Sequence, residues 1–498
     1  MRKTFSLLLL FLCSLTVVAQ RMPKREFRGA WVQIINGQFQ GLGRDGMQAN
    51  LTRQLDAMQR AGINVVMFQV RGEADAMYPS PYEPWSRFLT GRQGTPPTPY
   101  WDPLGWMIEQ CHRRGMELHA WINPFRAKTK TTNELSTTHP YLRDPKRFFA
   151  YDGLLLFDPA RPENRSYICQ VAADIVRRYD VDGLHIDDYF YPYPVAGLNI
   201  PDDVSFATYG NGFSDRNDWR RHNVNLFIQE LHDTLRAVKP WVKFGVSPFG
   251  IYHNQRNGTA VPGSQTGGLQ NYDDLYADIL LWIEKGWIDY NVPQLYWEIG
   301  HKTADYEHLV HWWAKHATGR PLIIGQDIER TMRAKDLQDA SQSQLAAKMR
   351  IADSEPSVAG NCFWYSAALT RNEGGIGDAL ATTYQSRPAL LPLMPFIDKH
   401  APKKPRKVKV IDMEDAPYLF WSAPKAKKEM DRAVRYVVYR FAKGESIDLN
   451  KAQNIVAITD QTLLRLPYHG GATKYTYIVT SLDRLHNESK GKKKTIKL

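Results

Sequence analysis

After its first nineteen residues the chain has no long apolar run, and the one it does have, residues 5–19, falls short of the ~20 residues a membrane-spanning helix needs. Cysteine is scarce as well. There are four in 498 residues, and Cys13 lies in that first run. The remaining Cys111, Cys169 and Cys362 cannot all pair, so they read as small buried hydrophobes on two helices and a strand rather than a disulfide framework. No strand-like segment leads into a Gly-rich phosphate loop, no HExxH or clustered His spacing offers a metal site, and Ser247 has no G-x-S-x-G elbow. Nucleotide, zinc and serine-nucleophile chemistry therefore lack their sequence requirements, and no cofactor is implied. What is abundant is aromatic: 14 Trp, 25 Tyr and 20 Phe, with 23% charged residues, a composition that excludes a disordered chain or a coiled coil.

The opening segment runs from Arg2 and Lys3 through Leu7–Leu12 to Val17, Val18 and Ala19, the basic, apolar, small-residue order of a secretory signal cleaved after Ala19. A secreted or periplasmic protein is the expectation. The net charge of +12 is unevenly spread. From Lys399 onward the chain holds 22 basic and 10 acidic residues, whereas the first 398 residues hold 42 of each. The excess thus belongs to the last hundred residues. Basic runs such as 403–407 and 490–494 suit either a solvated tail or an anionic envelope polymer, and no nucleic-acid readout motif accompanies them.

Eight short apolar runs, at 29–34, 64–71, 117–125, 183–188, 243–250, 291–297, 322–327 and 361–366, read as strands. Between them, 47–61, 103–114, 164–179, 218–238, 273–285, 304–317 and 337–352 carry helical spacing, with Gly62, Gly115 and Gly286 at helix ends. Strand and helix alternating eight times predict an α/β fold, a (β/α)₈ TIM barrel over 27–387. The long insertions 72–100, 127–157, 189–215 and 251–268 all follow strands, so they share the rim where such barrels build their sites. A Pro- and Lys-rich linker (388–410) and a strand-patterned all-β segment (411–498) complete the chain.

The densest chemistry is on strand 4, where Leu184 and Ile186 share one face and His185 and Asp187 the other. The apolar face meets helices, which points His185 and Asp187 inward and leaves Asp188 at the mouth. Two adjacent acids repel, and the shared repulsion raises one pKa toward neutral, as a proton donor requires. On strand 6, Gln294, Tyr296 and Glu298 share a parity, which makes Glu298 the expected second carboxylate, acting as base or nucleophile across the bond. Inward positions elsewhere add His119, Trp121 and Asn123, then Arg71 with Glu73 and Asp75 beyond it, and Asp327, with Tyr189 and Trp297 flanking the acids. Polar groups among aromatic rings suit a polysaccharide. Taken singly they also have plain roles: Arg71 pairing Glu73 or Asp75, His119 a satisfied interior histidine, Trp121 core, Asp182 a turn or cap.

The segments Arg28-Gly29-Ala30-Trp31, Phe68-Gln69-Val70-Arg71, Trp101-Asp102-Pro103-Leu104, the stretches 114–124 and 182–192, Gly245-Val246-Ser247-Pro248 and Pro293-Gln294-Leu295-Tyr296-Trp297 resemble glycosyl-hydrolase-like family 10 of secreted bacterial proteins. The resemblance covers about residues 27–370. It implies a TIM barrel that cleaves glycan in the bacterial envelope, with peptide-free peptidoglycan strands as the substrate to expect. Strand 4 also resembles the chitinase D-G-x-D-x-D-x-E pattern, but Tyr189 stands at the place of its catalytic Glu, a departure from that route. Near the C-terminus, Trp421 with Pro424, the run 436–440, the run 475–479, Asp483 and 487–489 resemble a fibronectin type III domain, which implies a β-sandwich for spacing or adhesion. A glycan-binding barrel without turnover and a non-hydrolytic carbohydrate enzyme remain the alternatives.

Overall fold

The computed structural model describes residues 22–468 and 470–498, so the expected signal segment and Cys13 lie outside the described residues. Eight parallel strands form a closed barrel: β1 (Phe27–Val32), β2 (Val65–Arg71), β3 (Glu117–Ile122), β4 (Gly183–Ile186), β5 (Lys243–Val246), β6 (Tyr290–Asn291), β7 (Leu322–Asp327) and β8 (Val358–Trp364). Closure comes from β1 pairing with β8, in the register Phe27 to Gly360 and Ala30 to Phe363. The main outer helices are α1 (Gly43–Arg60), α2 (Pro103–Arg113), α3 (Pro162–Arg178), α4 (Arg216–Val238), α5 (Ile279–Glu284), α6 (Tyr306–His316) and α7 (Leu345–Ser354). The expected TIM barrel is present.

Strands buried on both sides still sort their residues by parity. On β2, Val66, Phe68 and Val70 pack outward against the helices, while Val65 and Met67 join an inner cluster with Trp31, Trp121 and Tyr290. Leu118, Ala120 and Ile122 on β3 and Leu184 and Ile186 on β4 also face outward, which turns His119, Trp121, His185 and Asp187 to the axis. Helix signals work as expected. The Asp102 side chain accepts from Gly105 N ahead of α2, Pro103 occupies its first turn, and α1 is followed by Gly62 at φ 78°. Cys111, Cys169 and Cys362 are free and buried.

Three expected elements are shorter than their apolar patterns. The β6 ladder stops at Asn291 because Pro293 has no N–H to donate; Gln294 keeps only single bridges to Phe249 and Gly325. Helix 273–285 is interrupted at Tyr276, whose φ is 56°, and restarts as α5 where Asp278 accepts from Leu281 N. Helix 337–352 begins only at Leu345, since Asp336 accepts the N–H groups of Gln338 and Asp339 and folds the chain into a turn closed by a Lys335–Ser343 bridge.

The last hundred residues form two antiparallel sheets. One orders β9 (Arg406–Asp412), β10 (Pro417–Ser422) and β13 (Leu463–Arg465); the other orders β12 (Ile455–Thr459), β11 (Arg435–Ala442), β14 (Lys474–Leu482) and β15 (Lys492–Lys497). Leu419, Trp421, Tyr436, Val438, Tyr477 and Val479 fill the space between them. The expected linker 388–410 is not a free tether. Leu391 and Met394 enter the inner barrel cluster, Leu390 bonds Lys24 and Glu26, and residues from Arg406 onward are already β9. The sheets dock at the N-terminal end of the barrel strands, where Arg435 donates to Met116 O at 3.2 Å and Lys243 to Arg484 O at 3.0 Å.

Candidate active site

A hydrogen-bonded column fills the barrel axis from this docked end toward the opposite mouth. Glu117 Oε1 accepts from Lys243 at 2.9 Å and lies 3.2 Å from His486 Nε2, while Oε2 lies 3.0 Å from His119 Nε2. His119 Nδ1 meets the Tyr290 hydroxyl at 2.7 Å, the same hydroxyl meets His185 Nδ1 at 3.1 Å, and His185 Nε2 meets Ser247 Oγ at 3.0 Å and Trp31 Nε1 at 3.3 Å. The ends fix the direction of every bond. Indole N–H only donates, so His185 accepts at Nε2 and donates from Nδ1 to Tyr290, which donates to His119, which donates to Glu117. Burial and the nearby His119 push His185 well below its ordinary pKa, as a neutral ring requires. Glu117 stays ionised against its burial because Lys243, then His119 and His486, hold it well below the usual carboxylate range. Two glycines make room: a Cβ on Gly183 would sit 2.7 Å from the His119 ring, and one on Gly245 would sit 1.9 Å from Tyr290.

Above the column is a cavity of about 200 Å³ at the C-terminal end of the strands. Trp31 and Gln33 come from β1 and its exit, Trp121 from β3, Ser247 from the end of β5, Gln294 and Tyr296 from the segment after β6, and Trp364 from β8. Asp187, Asp188, Tyr189 and Tyr193 arrive with the loop after β4. Trp364 stands edge-on to Trp31 and Trp121, with ring centroids 6.2 and 6.1 Å away, and is near-parallel to Tyr296 at 6.4 Å; Tyr189 stacks on Tyr193 at 5.2 Å.

The two acids are held differently. Gln69 Oε1 accepts from Ile34 N at 2.8 Å, so its Nε2 donates to Asn123 Oδ1 at 2.7 Å, and Asn123 Nδ2 is thereby turned to Asp187 Oδ2. The same oxygen accepts from Trp121 Nε1 at 3.2 Å. With two fixed donors on Oδ2, a proton on Asp187 belongs on Oδ1. Burial and the neighbouring Asp188 charge push Asp187 up to about 7. Asp188 accepts from the Tyr193 hydroxyl and, at 3.2 Å, from Gln294 Nε2. Burial raises its pKa too, opposed by those two bonds to the ionised form. Of the two, Asp187 is thus the carboxyl raised to about 7, while two donors to the ionised form oppose the rise at Asp188.

The structure brings Trp121, Asp187, Asp188, Tyr189 and Tyr296 to the cavity, with Asn123 behind Asp187 and His185 and His119 in the column below. Other candidates lie elsewhere. Arg71 is buried and bonded to Glu83 through both carboxylate oxygens, and it also donates to the Asn123 and Pro124 carbonyls, so its partner is neither Glu73 nor Asp75. Glu73 binds Arg87, Thr129 N and Thr132, and Asp75 accepts from Glu73 N; together they tie the loops after β2 and β3 to each other. Trp297 packs edge-on to Phe249. Asp327 caps the helix Ile328–Arg333 by accepting from Arg330 N. Glu298 is half-buried and does not line the cavity; its charge, with that of Asp327, acts on Lys348, which burial lowers to about 7. Asp182 accepts from Leu118 N and pairs with His112, a structural role. Among the described residues, no group of three or more His, Cys, Asp or Glu side chains is arranged to hold a metal ion.

A bowl lined by aromatic rings at the C-terminal end of a (β/α)₈ barrel, with a carboxyl pair on its floor, is the make-up of a glycoside hydrolase. Residues 26–342 match the family described as glycosyl hydrolase-like 10, and the chain belongs to that family. It is 38% identical to glycosyl hydrolase YngK of Bacillus subtilis, over 98% of this chain and 96% of that one. It is also 38% identical to glycosyl hydrolase DigH of Escherichia coli K12, over 54% of this chain and 62% of that one. Among solved structures, an endo-1,4-beta-mannanase from Rhizomucor miehei aligns with a TM-score of 0.44 at 12% identity, over 73% of this chain and 99% of that one.

Proposed function

We propose that this glycoside hydrolase is secreted and cleaves peptide-free peptidoglycan glycan strands in the bacterial envelope, with the Asp187–Asp188 pair as its catalytic centre and the C-terminal sheets as a fibronectin type III-like domain. One observation carries the catalytic part of this reading: a buried carboxyl pair in an aromatic bowl, with Asp187 raised to about 7. Asp187 gives its proton to the leaving oxygen as the glycosidic bond breaks. Asp188, which accepts hydrogen bonds from Tyr193 and Gln294, stabilises the positive charge that develops at the sugar carbon; water then bonds to that carbon and passes its proton to the carboxylate left on Asp187, which restores the acid. Trp364, Trp121 and Tyr296 offer ring faces and edges to the sugar.

The experiment is incubation of the mature chain with peptide-free peptidoglycan, chitin oligomers and neutral plant glucans, with products read by mass. New reducing ends without dehydration are expected from the first substrate and not from the glucans. Tight retention without products would instead support a binding barrel, and dehydrated ends a lyase. A second expectation concerns Tyr193. Tyr193→Phe removes a hydrogen bond to a charged group, worth about 1.5–3 kcal/mol, and so lowers turnover by roughly 10–100-fold. Asp188 then titrates at higher pH and competes with Asp187 for the proton; an unchanged pH–rate profile would remove Tyr193 from this role.

A further inference from the structure

Residues 1–398 balance in charge, and the whole excess of positive charge lies from Lys399 onward, in the segment that builds the sheets docked at the end opposite the mouth. Part of that charge is gathered in a concave surface. A groove of about 520 Å³ is lined by five cations, Lys403, Lys404, Arg406, Lys425 and Lys490, and by Pro402 and Pro424, with no carboxylate in its lining. Among the described residues, none of the five forms an ion pair.

Two features distinguish this groove from a solvated tail. The frame is rigid: Pro402 and Pro405 are buried on either side of Lys403 and Lys404, Arg406 opens β9, and its Nε and Nη2 donate to Ala423 O at 3.2 and 3.0 Å. The charge also continues beyond the groove, because β9 packs beside β15 and the exposed Lys407, Lys409 and Lys492 extend it along both strands. Unpaired like charges on a fixed scaffold repel one another, and a bound polyanion relieves that repulsion. Exposed cations thus run on from the groove along neighbouring strands, a surface suited to a linear chain of charges rather than to one small ion.

We propose that this groove binds a linear anionic polymer bearing phosphate groups. Lysines meet phosphate as point charges, and Arg406 adds a planar fork. Docking through Arg435, His486 and Lys243 holds the groove and the catalytic mouth at opposite ends of one body, so a chain retained by the polymer keeps its mouth open to glycan.

The test is binding of the full chain to long-chain inorganic polyphosphate, measured across a salt series, with vesicles of phosphatidylglycerol as a second probe. Wild-type protein binds polyphosphate, and the affinity falls as salt rises. The triple variant Lys403→Glu/Lys404→Glu/Lys425→Glu weakens binding by about tenfold or more, whereas Lys443→Glu/Lys451→Glu/Lys474→Glu, with the same change in net charge elsewhere on the domain, weakens it by less than about threefold. Hydrolysis of short soluble glycans is the same in all three proteins. The proposal is overturned if wild-type protein does not bind polyphosphate, if both triple variants weaken equally, or if vesicles are bound and the polymer is not.

Discussion

Asp187→Asn is expected to lower turnover by about 10²–10⁴-fold, the contribution of a positioned general acid, while the variant melts like the wild type. The amide keeps an oxygen at the Oδ2 position, where Trp121 and Asn123 donate, but has no proton of the right acidity to give. Asp188→Asn is expected to fall as far for a different reason. It removes the charge beside the reacting sugar, and it also removes one of the causes that raise Asp187, so Asp187 loses its proton at lower pH. The sign for the wild type follows from a raised carboxyl. The acid form is present below about 7 and lost above it, so kcat/KM declines as pH rises through that value. Near-normal turnover in both variants would take the pair out of the mechanism.

Glu117→Ala is expected to destabilise the fold by about 3–5 kcal/mol, the cost of leaving a buried charge without its partner. Glu117 and Lys243 are each 1% exposed, and the carboxylate also receives His119 and His486. Its loss strands the Lys243 ammonium at the junction of barrel and C-terminal sheets and takes the terminal acceptor from the column that ends at Ser247 and Trp31. The readout is the guanidinium midpoint at unchanged slope. The double variant Glu117→Ala/Lys243→Met is expected to recover part of the loss, because no unpaired ion remains. A single variant as stable as the wild type would show that the cluster does not hold the two parts together.

Much of this was legible because a barrel strand has only two faces. Alternation on β3 and β4 placed Trp121, Asn123, His185 and Asp187 on the inner face, and the structure puts them there. The same rule misled where the strand ended early: at Pro293 the β6 ladder has already stopped, and the parity argument that reached Gln294 and Tyr296 did not extend to Glu298. Arg71, Glu73 and Asp75 stood at the right rim, but their partners Glu83, Arg87, Thr129 and Thr132 come from loops, whose pairing no periodicity encodes. Tyr193 was missed for the same reason. Trp31 and Gln33 could have been found, since Ala30 and Val32 point outward beside them, and Trp364 lay in a recognised strand without a polar neighbour in phase to draw notice.

To act as the acid, Asp187 must retain a proton near neutral pH. A carbon-13 NMR titration of the aspartate side-chain carboxyls, with Asp187→Asn used to assign the signal, reads it directly. A midpoint of about 7 is expected for Asp187, moving down in Asp188→Asn. An Asp187 carboxyl titrating near the ordinary ~3.9 of an exposed aspartate would contradict it.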